Sequence, residues 1–283
     1  MRVKLWGVRG SIPVPGQDAA GYGGNTSCVG VTTDDGTELI LDAGSGIRDL
    51  GAAISGRCRH VHVLLTHLHL DHIQGLTFFA PIFDPDVEVT VWGPPALGRG
   101  LRERLARFIS NPIFPVEIRD LPARVNFEDV PTEPWRIGGV EVRASLVAHR
   151  GLTLGYRLTA AGGSLCYLPD HEPGLGQDLA GSDPDWISGH ALAADASLLI
   201  HDCQYTDAEY PTHQGFGHSR LSDALDFADR ARARNTLLFH HDPGHDNAEL
   251  DAIGEEAASQ WAHRGGEGAV ELAREGRVIE LAA

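Results

Sequence analysis

Four residues able to bind a metal ion follow directly on one apolar run. Residues 60–66 have the β-branched, apolar composition of a buried strand, and His67, His69, Asp71 and His72 come immediately after them. In an extended chain His67, His69 and Asp71 point the same way, and a turn after them brings His72 round to join. Burying imidazoles beside a carboxylate is unfavourable unless a cation organises them, so the cluster predicts a divalent metal site.

Three further candidate ligands each come just after a later predicted strand. They are His149 after residues 140–148, Asp170 after 164–168 and His240 after 236–239. Ligands on rigid strand ends that open into loops can hold two ions roughly 3.5 to 4 Å apart. The sequence therefore predicts a dinuclear centre.

The elements that must position these residues are short strands interrupted by amphipathic helices. Predicted strands cover residues 3–6, 28–33, 38–41, 60–66, 87–92, 125–130, 140–148, 154–159, 164–168, 196–201, 236–239 and 278–281, and predicted helices cover 47–54, 97–109, 221–233 and 248–263. No linker or low-complexity run divides them, so we expect one domain over residues 1–283. Two strand-rich segments with helices between predict an α/β fold of two sheets packed face to face with helices outside.

The order of these residues resembles the metallo-β-lactamase superfamily. The H-x-H-x-D-H motif of that superfamily is matched at residues 67–72, and its later His, Asp and His are matched by His149, Asp170 and His240. The resemblance implies a four-layer αββα sandwich in which His67, His69 and His149 hold one metal, Asp71, His72 and His240 hold the other, and Asp170 bridges. A His at position 69, where iron-dependent oxygen reductases of the superfamily usually carry Glu, favours hydrolysis over redox chemistry.

Three local segments are similar to ribonuclease Z and the related cyclic phosphodiesterases. They are H-R-G-L-T-L-G-Y-R-L at residues 149–158, L-I-H-D-C-Q-Y at 199–205, and G-H-S at 217–219 followed by a helix and T-L-L-F-H-H. By this resemblance His218 protonates the leaving oxygen and Asp202 orients His218, with Asp71 counted among both the catalytic residues and the ligands. Asp202 stands where the family has Glu, which shortens the side chain by one methylene.

The predicted activity is hydrolysis of a small phosphodiester, cyclic ones included, by a hydroxide bound to two divalent ions. Zn²⁺ is the expected metal, with Mn²⁺ or Fe²⁺ as alternatives, because all three accept these ligands. Two other functions stay open: a thioester or lactone hydrolase of the same fold, and a non-catalytic, metal-stabilised nucleotide-binding module. The basic, Gly/Pro-rich arm with which ribonuclease Z grips tRNA has no counterpart, since residues 171–195 are acidic.

Composition argues against several partners. With 23 Lys and Arg against 39 Asp and Glu, the formal charge of −16 disfavours long nucleic acids and anionic membranes. Residues 1–12 lack the pattern of a secretory signal, so we expect a cytoplasmic protein with its four cysteines reduced. A homodimer is left open. Arg9 is a candidate for phosphate contact. His241, His245 and Asp246 either support the metal ligands or form a polar loop, and we expect the polar loop.

Overall fold

The computed structural model describes residues 1–281 and contains two seven-stranded sheets. The strands are β1 (Arg2–Gly7), β2 (Cys28–Thr32), β3 (Glu38–Leu41), β4 (His60–Leu64), β5 (Glu88–Gly93), β6 (Arg124–Asp129), β7 (Trp135–Ile137), β8 (Val140–Leu146), β9 (Leu154–Ala160), β10 (Gly163–Leu168), β11 (Leu198–Asp202), β12 (Asn235–Phe239), β13 (Ala269–Leu272) and β14 (Val278–Glu280). The helices are α1 (Ile47–Ile54), α2 (Leu70–Ile73), α3 (Leu101–Ala106), α4 (His190–Ala193), α5 (Tyr210–His213), α6 (Leu221–Ala231) and α7 (Asn247–Arg264). Because residues 282 and 283 lie outside the described part, the single domain over 1–283 stays a prediction.

Each sheet combines a parallel half with an antiparallel half. The first has the order β14-β1-β2-β3-β4-β5-β6, and β3 to β6 run parallel to one another. The second has the order β13-β12-β11-β10-β9-β8-β7, and β10 to β13 run parallel. Since β8 and β10 are both antiparallel to β9, β8 runs in the same direction as β10. Parallel strands end at the same edge of a sheet, so this topology gathers the ends of β8, β10, β11 and β12.

The main core lies between the two sheets, with a helical layer on each outer face. Leu39 and Leu41 of β3 point inward to the core that also holds Tyr156 and Phe239, whereas Ile40 points outward to α1 and α3. The outer face of the second sheet packs against α4, α6 and α7. Strands buried on both faces read as continuous apolar runs, as several do here. The predicted four-layer αββα sandwich is confirmed.

Two predicted elements are shorter in the structure, and two strands were not predicted, for identifiable reasons. The helix predicted over residues 97–109 is only α3, because Gly98 has a positive φ and Leu97 is fully exposed. The strand predicted over 140–148 ends at Leu146, where a turn closed by the bond from the Val147 amide to the Thr153 carbonyl (3.0 Å) begins. The edge strands β7 and β13 were not predicted, since three or four residues give little periodicity.

The cysteines are free, as predicted: Cys28, Cys166 and Cys203 are buried, and Cys58 is half-buried. Among residues 1–281, no helix combines the length and apolar composition needed to cross a membrane.

Asp246 begins the longest helix with a capping box. Its carboxylate accepts from the Glu249 amide at 2.9 Å, and the Glu249 carboxylate accepts from the Asp246 amide at 2.9 Å. Replacing Asp246→Ala should lower the free energy of unfolding by about 1 kcal/mol in urea denaturation, because helix-end amides lose their acceptor. Metal content should not change. The matched control Glu255→Ala, at an exposed position of α7, should stay within about 0.5 kcal/mol; equal losses in both variants would contradict the capping role.

Candidate metal centre

All seven predicted ligands converge at the edge where the parallel strands end. His67 follows β4, His149 follows β8, Asp170 follows β10 and His240 directly follows β12. The donor atoms form two groups, each within 4.8 Å: the His149 cluster of His67, His69, His149 and Asp170, and the His240 cluster of Asp71, His72 and His240. Asp170 and His240 also form a third such group with His218. The seven residues that the sequence predicts as ligands therefore lie together in the structure.

The local backbone differs from the prediction at one point. Asp71 was expected in an extended segment with His67 and His69, but it lies with His72 in the single-turn helix α2, which starts at Leu70. His69 is the extended residue before that helix. The turn of α2 places the side chains of Asp71 and His72 beside His240.

Asp170 lies between the two clusters and presents one oxygen to each. Its Oδ2 is 3.7 Å from His67 Nε2 and 3.5 Å from His149 Nε2. Its Oδ1 is 3.0 Å from His72 Nε2 and 3.2 Å from His240 Nε2. A carboxylate arranged in this way can bridge two ions.

The remaining donors complete each cluster. In the His149 cluster, His69 Nδ1 is 3.3 Å from His149 Nε2, and His69 is the exposed member. In the His240 cluster, Asp71 Oδ2 is 3.3 Å from both His72 Nε2 and His240 Nε2. Imidazole nitrogens and carboxylate oxygens are the donors that zinc and other divalent ions accept.

Buried polar atoms without partners test whether a metal fits this donor set. His67 Nε2, His72 Nε2 and Asp170 Oδ1 are all buried and make no hydrogen bond of acceptable geometry, although His72 Nε2 and Asp170 Oδ1 lie 3.0 Å apart. A buried polar atom left unpaired is unfavourable by roughly 1 to 3 kcal/mol, and here three such atoms face the same space. Divalent ions at the two clusters would satisfy all three, so the residues fit the group.

The pKa shifts agree with sites built for cations. Burial lowers the pKa of His67 well below its usual value, so this ring is neutral and free to coordinate. Burial alone would lower the pKa of His72 too, but Asp170, Asp71 and Asp42 outweigh it and raise that pKa well above the usual value. A pocket that draws positive charge onto a buried imidazole is suited to a divalent cation.

A layer of neighbours fixes the rings of the candidate ligands. Asp42 Oδ2 is 2.8 Å from His72 Nδ1, and Asp42 Oδ1 accepts from the Thr66 amide at 2.7 Å. Gln204 Oε1 is 3.1 Å from His240 Nδ1. Such contacts set which imidazole nitrogen faces a metal. Asp42 and Gln204 were not predicted, although Asp42 directly follows β3 and a strand-end carboxylate was the available signal.

Backbone strain is concentrated at this centre. Among the residues described, five non-glycine residues have positive φ, and three of them, Ser11, Asp42 and His240, contact or form the centre. The Ser11 amide donates to Asp71 Oδ2 at 2.8 Å. Gly10 lies so close to His240 that a Cβ there would be 2.5 Å from the ring, which explains the glycine.

His218 and Asp202 form a pair beside the clusters. His218 Nδ1 is 2.7 Å from Asp202 Oδ2, and the His218 ring stacks on the His240 ring at 4.8 Å. Burial alone would lower the pKa of His218, but Asp202 outweighs it and raises that pKa to about 9. The imidazole is thus held in its protonated form, with Nε2 left for another partner.

Four polar residues that the sequence offered as further site residues make contacts that stabilise the fold. Arg9 donates to the carbonyls of Gly23, Asp242 and His245, so its guanidinium ties loops together. His241 Nε2 contacts the Ala273 carbonyl at 2.8 Å, and burial lowers its pKa to about 3. His245 contacts Glu209, and Asp246 caps α7. The expectation of a polar loop for His241, His245 and Asp246 agrees with these contacts.

Comparison with known proteins decides the family. The profile of the beta-lactamase superfamily domain matches residues 37–241. The chain belongs to that superfamily. The predicted membership, and the predicted likeness to its ribonuclease Z branch, are confirmed, and the chain is accordingly a metal-dependent hydrolase.

Curated relatives support the branch, and solved structures support the fold. Ribonuclease Z of Kineococcus radiotolerans is 25% identical over 87% of each chain, and ribonuclease Z of Mycobacterium sp. (strain KMS) is 28% identical over 74% of this chain and 75% of the relative. The short form of human tRNase Z has a TM-score of 0.69 at 21% identity, covering both chains fully. The metallo-beta-lactamase fold protein YhfI of Bacillus subtilis has a TM-score of 0.71 at 20% identity and covers 99% of this chain and 98% of its own. A diphosphatase from the PhnP family has a TM-score of 0.68 at 20% identity and the same coverage. At these identities the structures establish the fold alone.

Asp42 provides a test of the supporting layer. Purified without chelator, the wild type should contain about two metal equivalents per chain by elemental analysis. In Asp42→Asn, the affinity of the His240 cluster should fall about 10- to 100-fold in chelator competition, because His72 loses the carboxylate that orients it.

The control is Asp195→Asn, which removes an exposed carboxylate paired with Arg232. That variant should bind both equivalents with unchanged affinity. Unchanged affinity in Asp42→Asn as well would show that the contact to His72 is dispensable.

Proposed function

We propose that the protein is a dinuclear, metal-dependent phosphodiesterase acting on a small phosphodiester, cyclic ones included. One observation carries the proposal: a His218–Asp202 pair, built as a proton donor, lies against two clusters joined by Asp170. His67, His69 and His149 would hold one ion, Asp71, His72 and His240 the other, and Asp170 both. We propose Zn²⁺ as the metal, with Mn²⁺ or Fe²⁺ as alternatives.

Ions bound at these clusters would polarise phosphoryl oxygens and lower the pKa of bound water toward about 7. The chain's residues supply the rest. Asp71 would serve as a ligand, since its Oδ2 lies beside His72 and His240 and accepts from the Ser11 amide; its catalytic role is what the resemblance implies. His69, the exposed donor, lies at the open side from which a substrate enters.

His218 protonates the leaving oxygen in this proposal. A phosphodiester has a poor alkoxide leaving group, so an acid near its departing oxygen accelerates cleavage. Asp202 holds His218 charged and oriented, and is itself fixed by the amides of His171 (3.0 Å) and Gln204 (3.0 Å). In a thioester or lactone hydrolase His218 would be dispensable, and in a non-catalytic nucleotide-binding module it would serve no chemistry.

Charge and local structure favour a small substrate. The formal charge is −16, which opposes binding of a phosphate backbone. Residues 171–195 were not expected to form an arm that grips a substrate. They contribute Leu179, Ile187 and Leu192 to the core against α6. These apolar contacts hold that segment against the body of the protein.

A second candidate is cleavage of tRNA precursors. It is favoured by the curated relatives named ribonuclease Z, which align over most of this chain. It requires local basic contacts that outweigh the negative surface. We also propose a cytoplasmic protein folded as one domain over 1–283; the homodimer stays a prediction.

Removing the proposed acid should separate chemistry from metal binding. His218→Ala should retain both metals, since none of the seven ligands changes, yet lose roughly 10² to 10⁴ in kcat on substrates with alkoxide leaving groups. The loss should shrink for p-nitrophenolate, whose departure needs little protonation. Asp202→Ala should show a milder form of the same pattern. His263→Ala, at an exposed position of α7, is the matched control.

The loss in kcat of His218→Ala, compared between leaving groups, tests whether His218 donates the proton. Equal losses for alkoxide and p-nitrophenolate substrates, with both metals retained, would refute proton donation by His218. Thioester or lactone cleavage at wild-type rates in His218→Ala would favour the corresponding alternative.

Substrate size can be tested by competition. We expect kcat/KM for small cyclic and linear phosphodiesters to exceed that for a structured tRNA precursor by at least about tenfold at physiological salt, because the acidic surface opposes the longer backbone. Both substrates should be assayed with the same metal-loaded preparation. A tRNA precursor that proves the better substrate would replace the first candidate by the second.

A further inference from the structure

Glu172 is a buried carboxylate outside the proposed metal ligands and the His218–Asp202 pair. It is 2% exposed and lies two residues after Asp170. Its Oε1 accepts from the Gly215 amide at 2.7 Å and from the Tyr210 hydroxyl at 2.8 Å, and its Oε2 accepts from the Gly217 amide at 2.7 Å. Both carboxylate oxygens are thus used to hold one short stretch of backbone.

The stretch 215–217 is also held from its other side. The Gly217 carbonyl accepts from His149 Nδ1 at 2.7 Å, and the Gly215 carbonyl accepts from Arg150 Nε at 2.8 Å. The Gly215 and Gly217 amides therefore face Glu172, and the carbonyls of the same two residues face Arg150 and His149. The Glu172 amide in turn donates to the Ala148 carbonyl at 2.8 Å, which ties it to the residue before His149.

Two functional side chains depend on where this stretch lies. The Gly217 carbonyl fixes the His149 ring so that Nε2 faces Asp170, and His218 is the next residue along the chain. Gly217 has a φ of +98°, and a Cβ there would lie 2.3 Å from His149 Nδ1. A small shift of the backbone would consequently move a candidate ligand and the candidate acid together.

We propose that Glu172 is a positioning residue that clamps backbone 215–217 and thereby orients both the His149 ligand and the His218 acid. The part concerning His218 rests on the proposed function; the part concerning His149 does not. Two oxygens are required, because Gly215 and Gly217 each need an acceptor. A glutamine offers one oxygen and would turn an NH₂ group toward the second amide.

The test uses the full chain carrying Glu172→Gln, with zinc as the metal probe. We expect zinc affinity at the His149 cluster to fall about tenfold in chelator competition, and amide exchange at Gly215 and Gly217 to speed up. On phosphodiesters the loss in kcat should be roughly 10²-fold for alkoxide leaving groups and smaller for p-nitrophenolate. In the His218→Ala background, Glu172→Gln should add no further dependence on the leaving group, because the two residues act through one step.

A control and a second variant keep the test decisive. Glu275→Gln alters another carboxylate that accepts from a loop, bonding the Asn25 amide at 3.1 Å and the Asn25 side chain at 2.7 Å, and should lower stability alone. If Glu172→Gln does not fold, Glu172→Asp keeps the charge but is one methylene too short to reach both amides, and should give intermediate losses.

The outcomes separate the two proposals. A folded Glu172→Gln or Glu172→Asp with unchanged zinc affinity and unchanged amide exchange overturns the positioning role. Losses that are neither larger than those of Glu275→Gln nor different from them in kind also overturn the positioning role. If the wild type cleaves no phosphodiester, the proposed function fails, whereas zinc affinity and amide exchange still decide whether Glu172 positions His149.

Discussion

The structure depends on an electrostatic constraint at the edge of its two sheets. Asp42, Asp71 and Asp170 are buried around His72, and buried carboxylates are stable only when positive charge and hydrogen-bond donors compensate them. The imidazoles supply part of that charge. Divalent ions would supply the rest, which is why the unpaired atoms of His67, His72 and Asp170 all face the same space. The surrounding fold must hold these groups close although burying the carboxylates together is unfavourable in free energy.

Parallel strands meet this constraint without long supporting loops. Asp170, Asp202 and His240 lie at the ends of the neighbouring strands β10, β11 and β12, which the register pairs at Leu168 with His201 and at Asp202 with Phe239. Adjacent strands lie about 4.8 Å apart, so the sheet itself sets the spacing of the three side chains. The apolar core between the sheets keeps that spacing rigid.

Whether a contact of the site could be predicted from the sequence depends on how far apart its partners lie along the chain. His67 to His72 were predictable because four donors follow one apolar run, and His149, Asp170 and His240 because each ends another. Asp42 contacts a histidine 30 residues away, and Glu172 binds amides 43 and 45 residues away. Backbone partners leave no residue type to recognise, so no spacing revealed Glu172. The extended placement of Asp71 failed because the short helix α2 carries too few residues for a periodic signal.

Asp202 is a short carboxylate that neighbouring amides hold against His218. The family pattern has Glu at this position, and the loss of one methylene should retract the carboxylate from its histidine. Asp202 is the last residue of β11, and the amides of His171, Gln204 and Ser219 all converge on it. With its oxygens fixed from three directions, the shorter side chain still lies 2.7 Å from His218 Nδ1. The backbone just before His218 is held in turn by Glu172, whose carboxylate accepts from the Gly217 amide at 2.7 Å.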